Sequence, residues 1–113
     1  MRIIRCLDRS GETRYATLAD DGSAFAIKGD LFGAFDVTDE RIEIQKILAP
    51  IKPEAILCIG LNYRAHAEET RSQLPDHPIL FMKHPASVQD PDQPIVLPRT
   101  LRSDRVDYEC ELA

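Results

Sequence analysis

The chain has 113 residues, of which 43% are hydrophobic and 29% charged, and its formal net charge is −5. This composition is typical of a soluble globular protein with a small core, and it excludes the disordered and fibrous classes. Lysine and arginine are scattered along the chain, which argues against a nucleic-acid partner. No apolar stretch is long enough for a signal sequence or a membrane span, so a cytoplasmic location without membrane contact is expected.

In chain order, the first fifty residues predict a small antiparallel β domain. Three segments of strand length, at 2–7, 13–18 and 23–28, are predicted to be strands, and the second of them alternates. Asp20-Asp21-Gly22 is a hairpin signal between the last two segments. The mixed segment 29–39 is predicted to be a loop, and 39–48 fits a short helix and a strand equally well.

A proline-containing linker at 49–53 separates this domain, residues 1–50, from a second one, residues 51–113. The second domain begins with the continuous apolar run 55–59, which predicts a strand buried on both faces. A helix is predicted from Tyr63 to about Arg71, with Asn62 as its N-cap.

Two more strands are predicted in the second domain. The short apolar run 79–82 is the first, and a proline-rich, loop-like stretch follows it. The second begins near Arg105, where apolar and acidic residues alternate strictly from Val106 to Leu112. Such a strand places Val106, Tyr108, Cys110 and Leu112 on one face and the carboxylates on the other.

Three cysteines, Cys6, Cys58 and Cys110, are widely spaced and form no Cys-x-x-Cys pair. This spacing and the odd count argue against a zinc finger and against a disulfide scaffold. Because each cysteine lies in an apolar, strand-like run, we expect buried and reduced thiols.

The carboxylates of the last segment are candidate metal ligands. Asp107, Glu109 and Glu111 would share one strand face, where like charges repel unless water or a cation separates them. Hard cations such as Mg²⁺ take carboxylate oxygens as ligands, and Glu109 and Glu111 can both turn toward one ion. The alternative is the solvated face of a half-buried strand.

Two further features carry candidate chemistry. His66 and Glu69 are three residues apart, so on a helix they share a face, and a carboxylate beside an imidazole makes a plausible general base. The alternative is an ordinary surface pair. Lys83 ends an apolar run, where its ammonium is either an anion-binding group facing a cleft or a snorkelling surface lysine.

These motifs stand in an order that strongly resembles the fumarylacetoacetate hydrolase family, and the N-terminal portion of a bacterial-type member in particular. The likeness runs from about Ile47 to the last residue. It is carried by a set of short segments in fixed order: Gly60-Leu61-Asn62-Tyr63-x-x-His66-Ala67-x-Glu69, Pro78 to Lys83, Pro94 to Pro98, and Asp107-Tyr108-Glu109-x-Glu111-Leu112-Ala113.

The resemblance implies an α+β, strand-rich architecture, in which a small N-terminal antiparallel domain precedes the start of the β-rich catalytic fold. It implies Mg²⁺ or Mn²⁺ held by Glu109, Glu111 and an aspartate beyond Ala113. It also implies that His66 and Glu69 form the catalytic pair, that Lys83 lies near the substrate, and that the full-length protein is a homodimer. Family substrates are small keto or enol acids, which undergo carbon–carbon bond hydrolysis, decarboxylation or isomerisation.

The end of the chain in an apparent strand predicts that it is a truncated piece of such an enzyme and inactive alone. The first alternative is a non-catalytic fragment or interaction module that lacks the third metal ligand. The second is an intact chain whose sheet another polypeptide completes. In every case an open strand edge predicts that this segment alone is oligomeric or poorly soluble.

Overall fold

The computed structural model describes residues 1–100, 103 and 105–113. Within these residues the chain is strand-rich with few helices, as the resemblance predicted. The strands are β1 (Ile3–Asp8), β2 (Thr13–Leu18), β3 (Ala24–Gly29), β4 (Phe35–Arg41), β5 (Ile44–Leu48), β6 (Ile56–Gly60) and β7 (Ile79–Lys83). Helix α1 spans Arg64–Glu69, and a 3₁₀ turn spans Pro85–Ser87. No helix in the described part of the chain is long and apolar enough to cross a membrane.

The first five strands form one sheet in the order β4-β3-β2-β1-β5. The predicted meander is present, because β1, β2 and β3 pair antiparallel in sequence order. β5 then returns on the other side of β1, also antiparallel. Every connection within the meander is a short local turn, which explains why the sequence pattern identified these strands.

Glycine is required at two of these turns. Gly22, at φ +82°, follows the predicted Asp-Gly signal, and the Asp21 carboxylate accepts bonds from the backbone and hydroxyl of Ser23. Gly29 has a φ of +107°, and a Cβ there would lie 2.4 Å from the carbonyl oxygen of Ala34. Residues other than glycine rarely adopt such backbone angles, so both positions fix where the chain reverses.

The core of this sheet is small and lies on one face. Alternate residues of β1 are buried, and they are joined by small side chains of β2 and β3. The cluster consists of Ile4, Cys6, Ala16, Ala24, Ala26 and Ile42, with Leu18 and Ile44 packed against it. Because these side chains are small, the sheet buries little apolar area. Local turns and hydrogen bonds therefore contribute much to the arrangement of its strands.

One prediction in this region needs correction, and one alternative that was left open is resolved. The segment 29–39 is not all loop, because β4 begins at Phe35 and pairs with β3. β4 is an edge strand whose polar, mostly exposed residues give no apolar periodicity, and charged edges of this kind discourage pairing with other chains. The alternative left open for 39–48 resolves as strand: β4 ends at Arg41 and β5 begins at Ile44.

The second part of the chain contains a two-stranded antiparallel sheet, β6 paired with β7. Helix α1 lies in the connection between the two strands. The predicted strand at 55–59 is therefore present, but its burial on both faces is wrong. Leu57 is 63% exposed, and its neighbours across the sheet, Met82 and Leu80, are similarly exposed. No described element covers this face, so an apolar run did not guarantee burial.

Helix α1 is shorter than predicted, and its caps differ from those expected. Tyr63, not Asn62, is the N-cap: its backbone is extended and its carbonyl accepts the amides of His66 and Ala67. At the other end, the amides of Arg71 and Ser72 donate to the carbonyls of Glu68 and Ala67. This pair of bonds is a Schellman motif, and Arg71 occupies its left-handed position at φ 54°.

The predicted final strand is absent, since residues 105–113 have no regular secondary structure. A strand needs a neighbour to satisfy its backbone groups, and no described strand pairs with this segment. The predicted division into an apolar and an acidic face is therefore wrong too, and Val106, Tyr108 and Leu112 are all exposed.

The cysteines behave differently from one another. All three are free thiols, as expected, but only Cys6 is buried; Cys58 is half-buried and Cys110 is exposed. Cys6 occupies the centre of the sheet core, and its burial raises the pKa of the thiol, with a smaller contribution from the Asp8 carboxylate. Burial of Cys110 had been inferred from a strand face that does not form.

One carboxylate joins the first sheet to the segment after β7. Asp90 accepts a bond from the Lys46 ammonium at 2.5 Å and another from the Ala49 amide at 2.8 Å. These bonds hold the pKa of Asp90 below its usual range, with the Lys46 bond as the largest cause. Asp90 thereby fastens the segment after the 3₁₀ turn to β5 and to the start of the linker.

Candidate functional site

The second part of the chain contains a cavity of about 770 Å³. Its walls come from the end of β6, helix α1, Phe81 of β7 and the irregular segment Asp107–Glu111. This volume lies in the range of small-molecule sites. Four of the five predicted site residues line it: His66, Glu69, Glu109 and Glu111.

The helix presents His66 and Glu69 to this cavity, as their three-residue spacing predicted. The carboxylate nearest to the imidazole is nevertheless that of Glu109, whose Oε1 lies 3.8 Å from His66 Nε2. This separation is too long for a hydrogen bond, and both side chains are partly exposed, at 44% and 59%. The arrangement is therefore an open, partly exposed contact between an imidazole and a carboxylate.

The turn that leads into the helix is strained at a cavity residue. Leu61 follows the end of β6 and has a φ of 50°, in the left-handed region that side chains with a Cβ disfavour. Leu61, Asn62 and Tyr63 all line the cavity. Strain of this kind persists where surrounding structure imposes it, and here it sets the direction in which α1 leaves the sheet.

A tyrosine links the two walls of the cavity. The hydroxyl oxygen of Tyr63, at the start of α1, accepts a hydrogen bond from the Leu112 amide at 3.2 Å. Tyr63 and His66 are three residues apart, so the same side of the helix start carries the imidazole and the phenol. The acidic segment is thus hydrogen-bonded to the start of the helix through Tyr63.

Lys83 does not line the cavity. It ends β7, is paired in register with Ile56 of β6, and is exposed. The structure therefore brings together the predicted catalytic pair and the predicted metal ligands, and leaves the predicted substrate-binding lysine outside the group.

The donor chemistry of the cavity suits a hard divalent cation in kind. Glu109 and Glu111 offer the carboxylate oxygens that Mg²⁺ and Mn²⁺ prefer. Among the described residues, however, no group of three or more His, Cys, Asp or Glu side chains is close enough together to enclose an ion. Glu109 and Glu111 are the residues that would hold such a metal, as part of a larger ligand set.

Several residues that line the cavity were not predicted from the sequence to be site residues. Their side chains are apolar, aromatic or amide groups without an obvious catalytic pattern: Ile59, Asn62, Tyr63 and Phe81. Tyr63 was recognisable in principle, because it precedes His66 by three residues and stands within the quoted motif. Cys110 also lines the cavity, between the two candidate ligands.

Comparison with protein families assigns both parts of the chain. Residues 55–113, more than half of the chain, match the family described as fumarylacetoacetate (FAA) hydrolase C-terminal. Residues 1–50 match the family described as Rv2993c-like, N-terminal. No solved structure matches.

Individual relatives agree with the family match. An uncharacterised protein of Archaeoglobus fulgidus is 44% identical over 90 residues, covering 80% of this chain and 35% of the relative. Fumarylacetoacetate hydrolase domain-containing protein 2 homolog of Dictyostelium discoideum is 44% identical over 79 residues, covering 68% and 25%. Oxaloacetate tautomerase fahd2, mitochondrial, of Xenopus laevis is 46% identical over 68 residues, covering 59% and 21%. The chain thus spans about a fifth to a third of the length of these relatives, and it belongs to the fumarylacetoacetate hydrolase family.

Proposed function

We propose that this segment serves a divalent-metal-dependent enzyme that interconverts the keto and enol forms of a small keto acid. The observation that supports this is a single cavity lined by His66, Glu69, Glu109 and Glu111. A basic imidazole and a group of carboxylates face each other across it, which is the arrangement needed to move a proton and to hold a cation beside the same substrate.

The choice of isomerisation rests on the relatives. Those from Xenopus laevis, Rattus norvegicus and Homo sapiens are named oxaloacetate tautomerases and are 40–46% identical to this chain over 67 or 68 residues. The cavity lies within residues 55–113, which match the fumarylacetoacetate hydrolase family. Hydrolysis of a carbon–carbon bond and decarboxylation are the competing reactions within the same family.

The chain's own residues have separate roles in this proposal. The imidazole of His66, as general base, removes a proton from the carbon next to the ketone, and the electron pair moves onto the ketone oxygen. Glu69 lies on the same helix face and lines the cavity beside His66, where the substrate would bind.

A bound Mg²⁺ or Mn²⁺ would stabilise the negative charge that develops on the enolate oxygen, as a Lewis acid. Glu109 and Glu111 would hold it through their carboxylate oxygens, which suit a hard cation. Proton return to the oxygen from the His66 imidazolium completes the tautomerisation without net consumption of protons.

The test uses the full-length protein that carries this segment, with oxaloacetate and Mg²⁺. We expect Glu109→Gln to abolish metal-dependent tautomerisation and His66→Gln to slow it by about 10²–10⁴-fold, the usual contribution of a general base. Glu54→Gln, a change of the same kind at an exposed site outside the cavity, should leave the rate unchanged. The readout is the ultraviolet absorbance of the enol.

Two results contradict the proposal. Unchanged turnover in Glu109→Gln rules out the metal role of that carboxylate. A folded wild-type protein that turns over no keto acid with Mg²⁺ or Mn²⁺ rules out the enzyme and favours a non-catalytic interaction module.

A further inference from the structure

We propose that Tyr63 is a positioning residue. Its hydroxyl binds the acidic segment 105–113 by a hydrogen bond and so keeps Glu109 and Glu111 near His66. The role of this residue in catalysis rests on the proposed function. The hydrogen bond itself does not depend on that function. The bond joins the Leu112 amide to the Tyr63 hydroxyl oxygen at 3.2 Å.

The acidic segment has little else to hold it. It forms no strand or helix, and most of its side chains are exposed. Among the described residues, the Leu112–Tyr63 bond is the only hydrogen bond from 105–113 to another part of the chain; the bond between the Tyr108 amide and Asp107 is local. The His66–Glu109 pair at 3.8 Å is loose and solvent-exposed, and such pairs contribute little to stability.

The position of the bond explains what it controls. Leu112 directly follows Glu111, and Glu109 lies three residues before Leu112. Fixing the Leu112 amide at the helix start therefore limits how far both carboxylates can move away from the helix. Tyr63 is itself fixed as the N-cap of α1, whose first turn carries His66. One phenol thus ties the backbone of the ligand-bearing segment to the backbone that carries the base.

Two single changes remove the same bond from opposite sides. Tyr63→Phe keeps the ring and removes the acceptor oxygen. Leu112→Pro removes the donor N–H at a residue whose side chain is 93% exposed, so no packing is lost. The matched controls are Tyr15→Phe, in β2 of the first sheet, and Leu112→Ala, which keeps the amide.

The first readout is amide hydrogen exchange at Leu112 by NMR, with no metal present. A typical hydrogen bond protects its donor by several-fold, so we expect about fivefold faster exchange at Leu112 in Tyr63→Phe and no change in Tyr15→Phe. Unchanged exchange at Leu112 in Tyr63→Phe would show that the hydrogen bond to Tyr63 does not hold the acidic segment. Unchanged amide signals for β1 to β3 confirm that each variant is folded.

The second readout is paramagnetic broadening of the His66 ring protons by substoichiometric Mn²⁺. We expect less broadening in Tyr63→Phe and in Leu112→Pro than in wild type and in both controls, because the carboxylates no longer stay close to the imidazole. The double variant should show no further loss, since both changes remove one interaction.

These readouts separate the two claims. Broadening that is equal in wild type, Tyr63→Phe and Leu112→Pro overturns the positioning role. A wild-type protein in which Mn²⁺ leaves His66 unaffected contradicts the proposed function and the positioning role together, while accelerated exchange at Leu112 in Tyr63→Phe would still establish the hydrogen bond.

Discussion

The helix that carries His66 and Glu69 is followed, two residues after its end, by an arginine at a position where glycine is the favoured residue. Helix α1 has only six residues, and isolated helices of this length are unstable in water. Its C-terminal Schellman motif requires a left-handed backbone at Arg71, whose φ is 54°. We predict that Arg71→Gly stabilises this end of the helix.

The magnitude follows from two opposing effects. A left-handed backbone costs a residue with a Cβ roughly 1–2 kcal/mol, and glycine removes this cost. Glycine also gives the unfolded chain more conformational freedom, which offsets about 0.4–1 kcal/mol of the gain. The difference between the midpoints of these two ranges is a net stabilisation of about 0.8 kcal/mol. Arg71→Ala is the matched control, because it removes the charged side chain and keeps the Cβ.

The assay is native-state amide exchange at Ser72, whose N–H donates to the Ala67 carbonyl at 2.8 Å within the motif. The net gain corresponds to exchange about two- to fivefold slower in Arg71→Gly than in Arg71→Ala. Equal exchange in the two variants would refute the reasoning, because backbone strain at this position would then contribute nothing.

Three further predictions concern the rest of the chain. The Asp8 carboxylate accepts bonds from the Ser10 hydroxyl, the Glu12 amide and the Ser10 amide, which hold its pKa below the usual range; stability from this group is therefore present above about pH 4 and lost as the pH falls through the folded-state pKa. Urea midpoints measured from pH 7 to 2 should fall less steeply in Asp8→Asn, and an identical pH profile would count against the assignment. Thiol labelling at neutral pH should modify Cys110 first and Cys6 last, because Cys110 is exposed whereas burial raises the pKa of Cys6; rapid labelling of Cys6 in the folded protein would contradict its place in the core. Light scattering of the 113-residue chain should show oligomers, given the exposed Leu57, Leu80 and Met82 on one sheet face, and a monodisperse monomer would disprove this.

The elements that were predictable from the sequence are those specified locally. β1 and β3 show alternating burial because one face of the sheet is buried. The Asp-Gly turn joins β2 to β3 without any distant contact. β4 was missed because an exposed edge strand needs no apolar periodicity. The segment 106–112 shows the opposite failure: it alternates strictly, but a strand also requires a partner, which no local pattern supplies.

The candidate site was predictable only in part, for the same reason. The spacing of His66 and Glu69 places them on one helix face, and the structure turns that face toward a cavity. The carboxylate 3.8 Å from the imidazole belongs to Glu109 and not to Glu69. This contact depends on how a segment distant in sequence folds back toward the helix. The role of Tyr63 depends on the Leu112 amide, 49 residues away, which no motif could reveal. The predicted division into domains at 50/51 and the roles of the site residues stay predictions.

The central claim is that the carboxylates near residue 110 hold a divalent cation beside His66. The chain has three histidines, and His77 and His84 lie outside the cavity, so they serve as internal controls. The most direct measurement is the broadening of all three imidazole signals as substoichiometric Mn²⁺ is added. We expect His66 to broaden first in the wild-type protein, and this preference to disappear when Glu109 and Glu111 are both replaced by glutamine. Equal broadening of the three histidines, or a preference for His66 that survives the double replacement, would contradict the account.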